Sequence, residues 1–418
     1  MMRCSDAPAR PWRALFLCGA MQGIGGGLGW SLLPPLMPTI AKELNISHAM
    51  GGLIWGAAAL GIAISAPLGG AMVDKYGPRR VAALAMFVGS VACAARALCE
   101  SSFSLLAAMV VFGMHIGFVA PALPKALAGH IPLARLGRAT GFALVCYTFG
   151  TALTVLLARS VLAPAAGGWR PLMLIAAGAM ALTGLAWWFG MRDRVALSHR
   201  AGLRDVLALR HNGQLMRVAT MQLLMFGGYL ALLGALPRLL TEAGVPAVRI
   251  GPAVALWLTA AGCANLIGPW LSDRIGRRPL ILGGAIVACT GLGLLAIVGL
   301  SGDHASLVSA LLAIAALGGG CFAPLLLALP LEIEGVGPSR AGAALGLLML
   351  VGQIGGFLLP VLTGMFAEHG GFAGALGLLA VVHGLVVLPA LGLVETGRHA
   401  VRPQGGASSA AEAEQVAA

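Results

Sequence analysis

Twelve stretches of about twenty mostly apolar residues follow one another along this chain, at 13–38, 50–73, 80–99, 103–125, 138–162, 170–190, 217–240, 250–271, 279–300, 305–331, 341–366 and 372–394. Each is long enough to cross a bilayer as a helix. A water-soluble globule carries about 25% charged residues; here the share is 10%, against 59% hydrophobic. A soluble fold would leave too much apolar surface in water, so the solvent is lipid. Glycine, at 61 of 418 residues, is about double its usual share. It is also spaced: Gly19, Gly23 and Gly27 form one stripe, and Gly52/Gly56, Gly113/Gly117 and Gly352/Gly356 repeat the interval. Small residues so placed let helix backbones approach closely in a bilayer. The expected fold is all-α and integral to the membrane, with twelve transmembrane helices.

Orientation follows from the basic residues, which favour the cytoplasmic side. With the N-terminus inside, 21 of the 27 Lys and Arg fall on the inner side; only Lys42, Arg96, Arg159, Arg170, Arg238 and Arg249 fall outside. Both termini are therefore expected in the cytoplasm of a multi-pass cell-membrane protein. The basic start with its short apolar core resembles a signal peptide, but the apolar run continues to Ile40 and reads as the first span. The net charge of +12 is spread between the spans, so it argues for topology and against a nucleic-acid partner. The eight cysteines are scattered without CxxC spacing, suggesting neither a metal site nor a disulfide framework.

Two charged knots punctuate the chain. "GGAMVDKYGPRR" (69–80) lies between spans 2 and 3, and "GPWLSDRIGRRP" (268–279) between spans 8 and 9. Asp74 and Asp273 are 199 apart; Gln22/Gln222, Arg138/Arg340 and Pro121/Pro324 recur at 200, 202 and 203. The chain is thus two copies of a six-helix unit: 1–190, a linker at 191–216, 217–396, and a polar tail at 397–418 expected to be disordered. Here the sequence resembles the major facilitator superfamily of secondary transporters. Its signature loop is matched by Gly70, Asp74, Lys75, Gly77, Arg79 and Arg80, and again by Asp273, Arg274, Gly276, Arg277 and Arg278, with Pro269 at the leading glycine position. "GGWRP" (167–171) and "LEIEGVGPSRAG" (331–342) are also family-like.

The resemblance implies two pseudo-symmetric six-helix bundles, a small-molecule substrate bound between them, and loops that switch partners as the halves rock. It also implies specialisations that this chain lacks. All fifteen acids lie in loops or near span ends, so the intramembrane proton carrier of many relatives is missing. Met109 stands where the family's span-4 Arg would be, span 5 lacks the Gly-Pro motif of drug antiporters, and spans 2 and 8 lack the arginines of the nitrate transporters.

A neutral polar lining remains. Gln22 and Gln222 are matched positions on cavity-type helices. Gln222 shares a helix face with Tyr229, as Tyr147 does with Thr151, and Gln353 lies 202 from Thr151. His115, near mid-bilayer in span 4, is the one deep ionisable group on a cavity helix and could carry a proton or meet an anion. Interhelical packing is the competing role for each. Pro121, Pro124, Pro324 and Pro330 break the inner parts of spans 4 and 10 and are candidate gates.

An enzyme would need a paired-acid, HExxH or Ser/Lys constellation within the spans, and an ATP-driven pump a GK[ST] loop; neither is present. The expected function is uptake of a small organic or anionic metabolite, with a proton or ion as the candidate co-substrate. Export of drug-like compounds is the alternative. A monomer without cofactor is expected. Cysteines placed near Lys42, Asp303 or Glu368 should react with an impermeant reagent in whole cells, and those near Tyr76 or Ile275 only after lysis. The reverse pattern overturns the orientation.

Overall fold

The computed structural model describes residues 11–193, 209–298 and 305–396. The expected tail at 397–418 and most of the linker, 194–208, lie outside the described residues. Every described element is helical. Ten helices are long and apolar enough to cross a membrane. The difference from twelve lies at the two ends of the chain. Span 1 is interrupted: an α-helix Pro11–Ala20 passes into a π-helix Met21–Trp30 and then a helix Leu33–Glu43. The last segment, Gly342–Leu391, is 50 residues long, about 75 Å as a straight helix and more than twice a bilayer core. It changes direction at Gly371 (φ 56°, ψ −143°), which separates span 11 from span 12.

The spans between are built on the helices His48–Tyr76, Pro78–Ala97, Ser102–Ala128, Leu133–Leu157, Trp169–Gly190, Gly213–Glu242, Ala247–Ile275, Arg277–Val298 and Ala305–Ala328, the fourth of which passes into a π-helical turn Ala158–Leu162. Their starts follow local chemistry. Ser47 caps span 2 by accepting from the Met50 N–H at 3.2 Å, and Ser101 and Ser104 form a capping box on span 4. Asn212 accepts from the Leu215 N–H at 3.0 Å, starting span 7 at Gly213, four residues inside the expected linker.

Packing repeats across the two halves. Span 2 lies on span 4, span 3 on spans 4 and 6, and span 1 on span 5. Likewise span 8 lies on span 10, span 9 on spans 10 and 12, and span 7 on span 11. The glycine stripes make these contacts. A β-carbon at Gly27 would lie 2.8 Å from the Gly150 Cα of span 5, and one at Gly56 would lie 2.6 Å from the Phe357 carbonyl of span 11. Span 2 against span 11 and span 5 against span 8 join the halves.

The signature loops show why their glycines are there. Gly77 (φ 85°, ψ 154°) and Gly276 (φ 101°, ψ 159°) adopt backbone that side chains rarely enter. Each also faces an acid placed just after the last span of its half. The Arg79 N–H donates to Asp193 at 2.9 Å; the Arg277 and Arg278 N–H groups donate to Glu395 at 2.6 and 3.0 Å. Asp193 and Glu395 are 202 apart, a repeat as regular as that of the motif aspartates. Each carboxylate sits on the amino end of a helix, where the peptide dipoles favour negative charge. The first copy has one bond fewer because Pro78 has no N–H.

The motif aspartates pair within their own half. Asp74 meets Lys125 of span 4, and Asp273 meets Arg277 at 3.3 Å. Arg277 also holds Glu332 at 2.8 Å, and Thr396 donates to Glu332 at 2.7 Å. Burial raises the Glu332 pKa, but these bonds and the Arg277 charge outweigh it and hold the carboxyl below its usual range. Lys75 stacks on Tyr76 and Arg274 on Trp270, Arg80 is exposed, and Gly70 faces open space.

Two expectations need correction. The span-4 helix runs through Pro121 and Pro124 without a break, and span 10 likewise through Pro324. Only Pro330 falls in an irregular element, the 3-10 turn Leu329–Leu331 that ends span 10. A bilayer helix tolerates proline where neighbours re-satisfy the freed carbonyl. Gly77→Ala, whose β-carbon would lie 2.6 Å from the Asp193 carboxyl carbon, should lower stability by about 1–3 kcal/mol. Unfolding of purified Gly77→Ala and Gly70→Ala checks this; the second, in open space, should be close to neutral.

Candidate substrate cavity

The π-helical part of span 1 carries the sequence "MQGIGGGLGW". Without side chains on its glycines, this wide turn lies close on span 5 and leaves Gln22 at the edge of a cavity. The cavity, of about 190 Å³, lies between spans 1, 3, 4 and 5, with Gln22, Gly26, Met86, His115, Pro124 and Thr140 in its wall. A β-carbon at Gly26 would touch the Tyr147 ring at 2.7 Å and lie 3.5 Å from Gln22 Oε1, so Tyr147 packs on the turn of span 1 that carries Gln22. Of the predicted residues, Gln22 and His115 share the cavity wall, with Tyr147 packed beside the first.

His115 is 1% exposed. Its Nδ1 lies 2.5 Å from the Phe112 carbonyl, the Phe112 ring meets it edge-on at 4.5 Å, and a β-carbon at Gly89 would lie 2.6 Å from the ring. A carbonyl can only accept, so Nδ1 carries the proton and the acceptor nitrogen is Nε2. His383, by contrast, packs against Gly228 with Nδ1 on the Leu379 carbonyl at 2.8 Å.

Two other candidates adjoin Tyr147: Thr151 of the same helix hydrogen-bonds with it, and Tyr229 of the second half lies near it. Thr151 is buried and accepts from the Ser31 hydroxyl at 3.1 Å, a bond between spans 1 and 5. Tyr229 stacks on Trp257 with centroids 5.3 Å apart. Gln222 and Gln353 are buried in the C-terminal half, and neither Oε1 has a hydrogen-bond partner. The cavity that has Gln22 and His115 in its wall lies within the first half. Gln222 and Tyr229 are not in its wall.

Sequence reasoning also missed residues. Arg96, expected on the outer side, is completely buried in the first bundle. The bonds between halves were likewise not foreseen. His48 Nε2 meets Glu242 at 2.7 Å, Arg238 donates to the Ser47 carbonyl at 3.0 Å, and the Ala49 N–H donates to Glu368 at 2.9 Å. Arg159 donates to Thr241 at 2.6 Å, and Trp55 to the Leu230 carbonyl at 2.8 Å. Among the described residues, all such bonds lie in the half of the molecule remote from the signature loops. No sequence period marks them, because each is a single pair formed across the pseudo-symmetry.

Two six-helix bundles related by an internal repeat and joined at one end, with a cavity inside the first that carries a few polar groups in its wall, are the architecture of a class of membrane transporters. The sequence model of the Major Facilitator Superfamily matches residues 15–333 and, separately, 219–416. The chain belongs to that superfamily. It is 24% identical over 351 residues, 80% of its length and 84% of the relative's, to "Probable nitrate/nitrite transporter NarK2" of Mycobacterium tuberculosis. It is 27% identical over 358 residues, 80% and 82% of the two chains, to "Probable sulfoacetate transporter SauU" of Cupriavidus necator. A shorter match, 26% over 141 residues and 34% of each chain, is to "Quinolone resistance protein NorA" of Staphylococcus aureus. The fold is similar to that of the nucleoside transporter NupG (D323A mutant), with TM-score 0.78, 12% identity, 91% of this chain and 99% of that one. It is also similar to inward-open XylE from E. coli, with TM-score 0.72, 16% identity, 93% and 97%.

An orphaned buried acceptor destabilises a protein unless a ligand supplies its donor. Gln222→Leu should therefore raise the melting temperature of the empty protein. If Gln222 contacts substrate, the same change should weaken substrate binding about 5- to 150-fold, the equivalent of about 1–3 kcal/mol. Thermal unfolding and equilibrium binding on one preparation check both halves of this expectation.

Proposed function

We propose that the chain is a secondary active transporter that takes a small organic or anionic metabolite into the cell by alternating access. The carrying observation is that, among the described residues, the bonds seen between the halves lie remote from the signature loops, while Asp74 and Asp273 of those loops each pair with a basic residue of their own half. With the basic residues setting the signature loops in the cytoplasm, this arrangement is a state closed to the outside. Asp74 and Asp273 then exchange partners when the inner ends close. Gln22, His115 and Tyr147 hold the substrate from the first half; Gln222, Gln353 and Tyr229 approach it from the second as the bundles rock.

The likeness to NarK2 does not by itself make nitrate the substrate, because spans 2 and 8 carry Arg only at positions 249 and 274, near the ends of span 8. SauU, named for an organic anion, supports the wider class. The match to NorA, over 34% of the chain, supports export of drug-like compounds as the second reading.

The outer closure is testable through its charges. Glu242 binds both His48 and Arg238, at 2.7 and 2.9 Å, and Ala235 lies in the small pocket just beneath them. In a background without native cysteines, Ala235→Cys should react slowly with an impermeant thiol reagent from outside. Adding Glu242→Ala should speed that reaction and lower transport. Equal labelling rates would mean that this face is not a gate.

A further inference from the structure

Arg96 belongs to the last turn of span 3, where its long stem could carry the guanidinium outward into water. It turns inward instead. The side chain is 0% exposed, Nη2 donates to the Gly29 carbonyl at 2.9 Å, and the guanidinium carbon lies 4.1 Å from the centre of the Phe112 ring. Nη1 reaches the Met109 sulfur at 3.8 Å, and Nε has no partner. Among the described residues no carboxylate pairs with it, and the spans hold no acid at mid-depth.

Part of this arrangement is structural. The Gly29 carbonyl lies at the end of the π-helical segment, just before the helix that starts at Leu33. Arg96 supplies it with a donor. A neutral amide could supply it too, without removing a full charge from water, so the bond alone does not account for an arginine.

The charge has an outlet. The Phe112 ring contacts both groups: the Arg96 guanidinium carbon lies 4.1 Å from its centre, and the His115 ring meets it edge-on with centres 4.5 Å apart. His115, in turn, is part of the cavity wall. Gly29 follows Gly25 and Gly26 of that wall by one turn. The intervening atoms are apolar and buried, and screen a charge weakly.

We propose that Arg96 is the fixed positive charge that makes this cavity select small oxyanions (carboxylates, sulfonates or nitrate). It acts from behind the wall as a specificity-determining residue, with Gln22 supplying a direct N–H donor. About 190 Å³ corresponds to roughly six water volumes, room for an anion of a few heavy atoms. The proposal rests on the transport reading and narrows its substrate class.

The test is equilibrium binding to purified full-length protein at fixed ionic strength, with nitrate and sulfoacetate as anions and xylose and uridine as uncharged probes. Wild type should bind at least one anion and neither neutral solute. Arg96→Gln keeps a donor for Gly29 and should weaken anion binding by about tenfold or more. Arg96→Lys should restore it to within about threefold of wild type. Unchanged anion affinity in Arg96→Gln, wild-type preference for a neutral probe, or no binding of either anion overturns the proposal. Should Arg96→Gln not fold, the wild-type comparison still decides. Labelling at Ala235 reports the gate independently, so a failed anion assignment is distinguishable from a failed transport reading.

Discussion

Contact between one helix backbone and another is the constraint on which this structure rests. Lipid gives helices no hydrophobic reason to associate, so van der Waals contact must hold them, and that contact needs residues without bulk. The glycines of span 1 lie on Gly150 and Cys146 of span 5, and those of span 2 lie on Phe357 and Pro360 of span 11. The first pair builds a bundle; the second joins two bundles. One device therefore serves both stability and gating, and the two differ only in which half supplies the partner.

The architecture was legible in the sequence because its causes are repetitive. Apolar length marks each span, glycine spacing marks each close contact, and the 199-residue offset of Asp74 and Asp273 marks the duplication. Two things blurred the count of helices. A glycine-rich π segment divides span 1, and spans 11 and 12 follow one another with only the non-helical Gly371 between them. The role of Gly77 and Gly276 was legible only in part. Their partners, Asp193 and Glu395, share the repeat but lie more than a hundred residues further along, and only folding brings them to the loops.

The candidate site was less legible, for a physical reason. Residue type and depth select Gln22 and His115 as groups that a cavity could use, and the structure puts both in one wall. The same criteria select Thr151, which accepts a hydrogen bond from Ser31 of span 1 and also bonds with Tyr147 of its own helix. A polar side chain in lipid must find a partner, and sequence does not tell a helix partner from a ligand. Arg96 shows the converse error. Its place near a span end suggested an outer-surface cation, and only the direction of its side chain reveals a buried one.

The two ends of the molecule divide the work between different kinds of bond. At the signature loops, carboxylates seated on helix ends fix each bundle internally, at Asp193 and at Glu395. At the remote end, a few polar pairs cross between bundles, most of them partly open to solvent. Pairs of that kind contribute about 0–1 kcal/mol each. Separating the bundles there breaks a small sum of weak bonds and a strip of glycine contacts, and leaves each bundle's own bonds untouched. On the proposed alternating-access reading, that difference lets the two units move against one another without either unfolding. The pairs between bundles escape the internal repeat because they join unlike surfaces, whereas the scaffold is built twice.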